Sequence, residues 1–226
     1  MTTVVVSYDG SDADRDALEL GRLLARAGAS LELAYVRHAH EAERGRERLA
    51  EAEAEELLAA GAAALGDPEL PRHVVLSGST SEGLRELALG RGADLVLFGS
   101  EYRTARRHVD PQASARRLID GGPVAVGLAP AGFALDPPDR LVQVAAVGEE
   151  GDDAALRTAE SLARRFDASI ARHANRDADL LVVASKPGAP SGRVTVGAAA
   201  EYVIELATCP VLVLARGVAL DFGGAP

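Results

Sequence analysis

The stretch GSEYRTARRHVDPQASARR (99–117) begins like an anion-binding loop, because Gly99 and Ser100 follow directly after an apolar run. Glycine lets backbone N–H groups approach phosphate oxygens, and the N-terminus of the following helix offers further unpaired N–H groups. Where more glycines would be expected, the stretch carries a basic island: Arg103, Arg106, Arg107 and His108. Such an island is either a solvated loop or an anion site, and the residues alone leave both interpretations open.

Other catalytic and metal-binding patterns are sparse. We find no G-x-S-x-G motif, no G-x4-G-K-[S/T] loop and no G-x-G-x-x-G after the first strand, so we predict no catalytic residue and no enzymatic activity. His38 and His40 form an H-x-H pair, but no other His or Cys stands at a supporting spacing, which favours a surface turn over a metal site. The single cysteine, Cys209, precedes the apolar run PVLVL, and we interpret it as a small buried side chain.

Composition narrows the possible partners. The 226 residues carry a formal net charge of −10, which argues against nucleic acid because its binding depends on neutralising phosphates with Lys and Arg. No apolar run approaches the roughly 18 residues that a membrane-spanning helix needs. The first residues, MTTVVVSYDG, lack the basic and apolar regions of a secretory leader. We therefore expect a cytoplasmic protein with neither a membrane nor a nucleic-acid partner.

Short β-branched runs alternate with helical patterns along the first part of the chain. Ser11 and Ser79 stand where helix N-caps are expected, and Ser79 has the capping-box spacing to Glu82. The alternation of near-continuous apolar strands with helices predicts an α/β fold with a doubly wound parallel sheet, covered on both faces. The predicted strands are TTVVVS, SLELAYV, RHVVLS, ADLVLFG and PVAVGL.

The pattern begins again after a segment rich in proline, glycine and alanine (129–138), which has the composition of a linker. Leu18 matches Leu156 at an offset of 138 residues, whereas ADLLVVAS (178–185) repeats ADLVLFGS (93–100) at an offset of only 85. The second copy has therefore lost 53 residues, which hold most of the second strand, the long helix, the third strand and the third helix. We expect this truncated repeat to depend on the first for its fold.

Taken together, the repeated motifs resemble the universal stress protein family in its tandem form. The resemblance rests on VVVSYDGSDADRDAL, GADLVLFGS, QASARRLIDGGPVAVGLAP and GAAAEYVIELATCPVLVLARG. It implies a five-stranded parallel sheet in the order 3-2-1-4-5, of the adenine-nucleotide α-hydrolase-like type, with domains that pair through their fifth strands. Here those strands are 123–127 and 210–214, so the resemblance implies an intramolecular pseudo-dimer, with a homodimer or an unknown protein as a further partner. The implied divisions are a first domain (1–128), a linker (129–138), a truncated second domain (139–217) and a tail (218–226).

Nucleotide-binding members of the family carry an aspartate at the end of the first strand and the pattern G-x2-G-x9-G-[S/T] after the fourth. Asp9 and Gly99 match this pattern, although Asp9 in DGS is also typical turn and cap chemistry. The second glycine falls on Tyr102, the third on Gln112 and the hydroxyl residue on Ala113. Neighbouring hydroxyl and guanidinium groups would then stand in for the lost glycines. The candidate ligands of an adenine nucleotide, with Val36 beside the base, are Asp9, Val36, Gly99, Ser100, Arg103, Gln112, Ala113 and Ser114.

In the second repeat the same pattern falls on Ala184, Pro187, Gly197 and Ala198, with Val147 at the aspartate position. We therefore expect no nucleotide there. Two hypotheses follow for the function of the chain. The first is a non-enzymatic stress-response protein that acts through partner or dimer interactions, with a degraded nucleotide site and no cofactor. The second is a switch that binds ATP or another adenine nucleotide at the first repeat, with slow hydrolysis.

Overall fold

The first repeat forms the alternation of strands and helices that its sequence predicts. The computed structural model describes residues 1–38, 44–148, 151–175 and 177–223. Within them the elements of this repeat are β1 (Thr3–Ser7), α1 (Asp12–Arg26), β2 (Ser30–His38), α2 (Arg44–Leu65), β3 (Arg72–Ser77), α3 (Thr80–Arg91), β4 (Leu95–Phe98), α4 (Ala113–Ile119) and β5 (Ala125–Leu128). The strands are parallel and lie in the order β3-β2-β1-β4-β5, which confirms the order that the resemblance implies.

The second repeat is a shortened version of the first. Its elements are β6 (Gln143–Val147), α5 (Ala154–Phe166), β7 (Ser169–Ala171), β8 (Leu180–Val183), α6 (Ala198–Glu205) and β9 (Val211–Val213). They form a parallel sheet in the order β7-β6-β8-β9, so β7 is a three-residue remnant of the second strand. In the described part of this repeat, the long helix, the third strand and the third helix have no counterpart.

The two repeats join through their fifth strands into one sheet. β5 pairs antiparallel with β9, with Val126 opposite Val213 and Leu128 opposite Val211. Between them Gly127 faces Leu212, and a Cβ on this glycine would lie 3.1 Å from the Leu212 side chain. This pairing confirms the predicted fold class, and it covers the β5 and β9 edges that each half would otherwise leave open.

Apolar side chains of the strands divide between two buried clusters, one on each face of the sheet. One cluster contains Leu97 of β4 together with residues of α1, α2 and α5. The other contains Val96 of β4 together with residues of α3, α4 and α6. Because helices cover both faces, the central strands are buried along their whole length, as their continuous apolar sequences predict.

The helices begin where their capping residues predict. The Ser11 hydroxyl accepts the N–H of Asp14 at the start of α1, and the Ser79 hydroxyl accepts the N–H of Glu82 at the start of α3, both at 3.3 Å. α3 ends at Gly92, whose φ of 66° is a left-handed value that glycine adopts readily. Among the helices that the structure describes, none combines the length and the apolar character needed to cross a bilayer.

The linker and the tail both pack against the body of the protein. In the linker, a short 3-10 helix (Phe133–Leu135) buries the side chain of Phe133. In the tail, Leu220 and Phe222 are buried, and their N–H groups donate to the hydroxyls of Thr158 and Ser161 on α5 at 2.9 Å. The described part of each segment is therefore integrated into the fold.

Candidate functional site

A cleft of about 660 Å³ opens at the carboxyl ends of β1 and β4. Parallel sheets of this kind commonly bind ligands at that edge, where the strand order reverses. Residues from the segments 9–16, 100–102 and 131–135 contribute to its walls, together with Gln112. The predicted nucleotide site should therefore lie in this cleft.

Asp9 closes the turn between β1 and α1. Its Oδ1 accepts the N–H of Ser11 at 2.9 Å, and Ser11 in turn caps α1. Gly10 in this turn has a φ of 84°, and a Cβ there would lie 2.7 Å from the Leu57 side chain of α2. The turn, the cap and the close approach of α2 account for the sequence DGS without a ligand.

Asp14 lies behind Asp9 and is only 4% exposed. The backbone N–H of Asp9 donates to Asp14 Oδ2. Burial, a hydrogen bond with the Asp9 carboxyl group and the charge of Asp9 together raise the pKa of Asp14 to about 8. Burial also acts to raise the pKa of Asp9, but hydrogen bonds from Asp14 and Ser11 outweigh it and lower that pKa below its ordinary value. At neutral pH the pair therefore holds one proton on Asp14 and one negative charge on Asp9.

Asp16 fastens the linker to α1. Its Oδ2 accepts the N–H of Gly132 at 2.8 Å, and its Oδ1 accepts the N–H of Ala134 at 2.7 Å. Burial raises the pKa of Asp16, although these two hydrogen bonds oppose the rise. The linker consequently forms one wall of the cleft, and two of its amide groups are already engaged by a carboxyl group.

Gly99 is required by the packing of α1. A Cβ on this residue would overlap the backbone carbonyl of Ala13, in the first turn of the helix. The corresponding residue of the second repeat, Ala184, is 1% exposed and carries a Cβ at the same place in its loop. The close contact with α1 thus explains the glycine in the first repeat. The second repeat has room for a Cβ at the corresponding position.

The Ser100 hydroxyl ties the loop after β4 to the end of β5. It donates to the Ala129 carbonyl at 2.7 Å and lies 3.4 Å from the His108 carbonyl. It also accepts the N–H of Asp110 at 3.3 Å. We call this set of contacts the serine clamp. With Ser100 only 1% exposed, its oxygen is directed into the protein.

The second repeat contains the same serine clamp at Ser185. Its hydroxyl donates to the Leu214 carbonyl at 2.7 Å, lies 3.2 Å from the Arg193 carbonyl and accepts the N–H of Thr195 at 2.9 Å. In both repeats the partners stand 8, 10 and 29 residues along the chain from the serine. A clamp kept in a repeat with no predicted phosphate site indicates that these serines serve the fold.

The segment after each fifth strand also follows one path. Gly132 and Gly217 both have left-handed φ values, 76° and 74°. The Gly217 N–H donates to Asp152 Oδ2 at 3.0 Å, as the Gly132 N–H does to Asp16. Each repeat thus holds its outgoing chain with an aspartate near the start of its first helix.

The arginines of the first loop contact the loop and the linker. The Arg103 guanidinium lies over the Tyr102 ring at 5.0 Å, and Arg107 forms an exposed ion pair with Asp136 at 3.3 Å. Arg106 runs beside Gly132, since a Cβ there would lie 3.1 Å from its side chain. Among the described residues that line the cleft, none is one of these three arginines.

Carboxyl groups dominate the charge of the cleft. Asp9, Asp12, Asp16 and Glu101 line it, and Arg15 is the one basic residue among its described lining residues. Arg15 itself is paired with Asp12 at 3.0 Å. A phosphate in this cleft would therefore meet excess negative charge.

The structure brings Asp9, Ser100 and Gln112 together at the cleft and places the other predicted ligands elsewhere. Val36 is 7% exposed and lies against α3, and Gly99 lies behind the cleft wall. The first two residues of α4, Ala113 and Ser114, stand outside the lining residues. Gln112 is the N-cap of α4 but forms no side-chain capping hydrogen bond.

The other predicted features have simple locations. His38 ends β2, and its predicted partner His40 lies outside the described residues. Within the described ranges no group of three or more potential metal-ligating side chains comes together. Cys209 is half-buried rather than fully buried as predicted, and burial is the main cause that raises the pKa of its thiol to about 12.

Sequence reasoning missed Asp14 and Asp16, although a signal was present. Asp14 precedes Ala17, Leu18 and Gly21 at helical spacing, so a carboxyl group stands on the apolar stripe of α1. A charged residue type on a buried stripe needs a partner or a raised pKa. For Asp16 the partner is the linker, which sequence spacing does not identify.

The fold and the site define a tandem α/β protein whose two doubly wound halves join strand to strand. The chain belongs to the universal stress protein family, whose family model matches residues 1–116 and 170–215. It is similar to a universal stress protein from Archaeoglobus fulgidus, with a TM-score of 0.60 and 17% identity over 95% of this chain and 98% of that one. It is also similar to a functionally unknown protein from Pseudomonas aeruginosa, with a TM-score of 0.65 and 14% identity over 96% and 93% of the two chains. At these identities the likeness concerns the fold alone. No curated protein sequence matches the chain.

Proposed function

We propose that this chain is a non-enzymatic member of its family that acts by binding other protein chains, and that its first-repeat cleft no longer takes nucleotide phosphates. The observation that carries the proposal is the acidic lining of the cleft. Four carboxyl groups, on Asp9, Asp12, Asp16 and Glu101, stand against the single guanidinium of Arg15. The same edge of the sheet would need basic or N–H donor groups to hold a phosphate.

The repulsion between a phosphate and the carboxylates of the cleft is as large as the gain from hydrogen bonds to that phosphate. Two like charges about 5 Å apart repel by roughly 3 kcal/mol at an effective dielectric constant of about 20. A hydrogen bond to a charged group contributes about 1.5–3 kcal/mol. One nearby carboxylate therefore offsets about one favourable phosphate contact. With Asp9 ionised and Glu101 at the cleft, a phosphate would need several new donors to bind.

Several groups that could replace the lost glycines already have partners. The Ser100 hydroxyl belongs to the serine clamp. The N–H groups of Gly132 and Ala134 donate to Asp16. Arg103 lies over Tyr102, a stacking contact that leaves its N–H groups able to donate. The hydrogen bonds of Ser100, Gly132 and Ala134, in contrast, would have to break before a phosphate could use the same atoms.

The size and position of the cleft favour a second candidate, an adenine-nucleotide switch with slow hydrolysis. A volume of about 660 Å³ suits a small-molecule ligand, and the cleft lies at the edge where such sheets bind nucleotides. In this version a divalent cation would have to neutralise the carboxyl groups, and Asp9 would contact the ligand. This candidate predicts that the purified protein releases adenine nucleotide on acid extraction and melts at a higher temperature with MgATP.

The experiment is an acid extraction of the purified protein for adenine nucleotide, followed by thermal melts with and without MgATP. A ligand at about 100 times its dissociation constant would raise the free energy of unfolding by ~2.7 kcal/mol. We expect no released nucleotide and no shift. A shift that Asp9→Ala abolishes would overturn the proposal in favour of the switch. The matched control is Asp139→Ala, at an exposed aspartate directly after the linker.

A further inference from the structure

A groove of about 470 Å³ lies between α4 and α6. These two helices precede β5 and β9, the antiparallel pair at the centre of the sheet, and they cover the same face of it. They therefore stand on either side of the approximate two-fold axis that relates the repeats. Ile119, Val196 and Ile204 give the groove an apolar part.

The residues that line the groove give its two sides opposite net charges. α4 contributes Arg116 and Arg117, with the acidic Asp120 at its C-cap, and α6 contributes Glu201 and Glu205. All five side chains are exposed. Arg116 is paired with Asp110, whereas no ion pair within the described part of the chain involves Arg117, Glu201 or Glu205. The charges on Arg117 and the two glutamates are therefore available to a partner.

Such a surface is complementary to itself. In a two-fold symmetric dimer the same patch meets its own copy in reverse orientation. A patch with a basic half and an acidic half then places each basic half opposite an acidic one. The chain as a whole carries a net charge of −10, so most contacts between two copies would be repulsive. At the groove, the arginines of one copy would face acidic residues of the other, so the repulsion between the copies is smaller there.

Two large apolar side chains are exposed at α6. Tyr202, on the helix, and Leu206, at its C-cap, are 63% and 58% exposed and stand one helical turn apart. The chain has four tyrosines and no tryptophan, and exposed aromatic side chains are the usual anchors of protein interfaces. The apolar part of the groove and this exposed pair, which lies outside the groove lining, are the apolar surfaces that an interface on this face would bury.

We propose that two copies of this chain associate through this face, with α4 of each copy against α6 of the other. Arg117 then faces the two glutamates of the opposite copy, and Tyr202 and Leu206 are buried between them. The inference rests on the proposed function, because both assign association rather than catalysis to the chain. It uses a different part of the surface, so a nucleotide in the cleft would leave it unchanged.

The test is the sedimentation equilibrium of the full chain over a range of protein concentrations and ionic strengths. We expect a dimer that weakens as salt is added. Arg117→Glu alone, and Glu201→Arg with Glu205→Arg, should each raise the dimer dissociation constant by about tenfold or more. The variant with all three substitutions should recover a large part of the affinity, because the charges are exchanged rather than removed. Arg140→Glu, at an exposed arginine after the linker, is the matched control and should leave the dimer intact.

Several outcomes would overturn this inference. A monomer at every concentration would contradict it, and so would a dimer that resists both reversals or a triple variant that recovers nothing. If Arg140→Glu weakened the dimer equally, the change in net charge would explain the effect without any contact at the groove. Circular dichroism of each variant shows whether the fold is intact, and Tyr202→Ala provides an uncharged variant that should also weaken the dimer. The MgATP melts test the proposed function separately, since they report on the cleft and not on the mass of the particle.

Discussion

The loops after β4 and β8 differ in nearly every residue that could hold a phosphate, yet they make the same contacts with the fold. Both contain the serine clamp, at Ser100 and Ser185, with partners at identical spacings. The first loop adds arginines, which contact Tyr102 and the linker but are not themselves among the described residues that line the cleft. The serine clamp that both loops share therefore joins strands. The arginine contacts that only the first loop makes hold the linker.

A second comparison concerns the segments that leave β5 and β9. Both turn at a left-handed glycine and both donate an N–H to an aspartate. The tail then continues onto α5, where Phe222 is fully buried, and the Thr2 hydroxyl donates to the Asp221 carbonyl at 2.6 Å. The tail thus contacts both repeats, and the dependence of the second repeat on the first stays a prediction.

The largest effect is expected from the tail. Phe222→Ala should lower the free energy of unfolding by about 3–5 kcal/mol, because it removes a buried aromatic ring and leaves a cavity. Leu135→Ala in the linker, at a side chain that is 73% exposed, should change it by less than about 0.5 kcal/mol. Urea denaturation of both variants measures the difference. Equal losses would contradict the expectation that the buried Phe222 side chain stabilises the fold whereas the exposed Leu135 side chain does not.

The glycine at the start of the first loop should come next. Gly99→Ala is expected to cost about 3 kcal/mol, because its Cβ would overlap the Ala13 carbonyl, a backbone atom that cannot easily move. The reverse change in the second repeat, Ala184→Gly, should cost about 1 kcal/mol, through lost packing and a more flexible unfolded chain. Urea denaturation of both variants again provides the measurement. A Gly99→Ala variant as stable as the parent would mean that α1 does not require this glycine.

The serine clamps should be similar in strength. Ser100→Ala and Ser185→Ala each leave a buried carbonyl and an N–H group without their partner, and each should cost about 2 kcal/mol. Thermal melts of the two variants, with MgATP present and absent, make the comparison direct. A stability loss confined to Ser185→Ala, with a loss of ligand response confined to Ser100→Ala, would assign the first serine to a ligand instead.

One further predicted effect depends on pH. The pKa of Asp14 is about 8 in the folded protein and about 3.9 in an unfolded chain, so the folded state binds more protons between these values. Stability should therefore fall as the pH rises from about 4 to about 8. Asp14→Asn removes this loss and can still hydrogen-bond with Asp9, so it should be similar in stability to the parent near the lower pH. Near the upper pH it should be more stable by several kcal/mol, because about four pKa units correspond to roughly 5 kcal/mol. Urea denaturation at several pH values checks the sign, and an Asn variant that is less stable at the higher pH would contradict it.

More of the fold than of the candidate site could be predicted from the sequence. The strand order, the truncated repeat and the pairing of 123–127 with 210–214 follow from local patterns and from the family resemblance. The three-residue β7 escaped prediction because so short a strand has no distinct pattern. The contacts of Asp16 with the linker could not be predicted, because they depend on where a segment without periodicity settles in three dimensions.

The most direct test of the central claim is equilibrium dialysis of the full chain against MgATP at about millimolar concentration, well above the dissociation constant of a functional nucleotide site. The acidic cleft and the engaged Ser100 predict no saturable binding. Saturable binding of about one nucleotide per chain, lost on Asp9→Ala, would contradict the claim and identify the first repeat as a working nucleotide site.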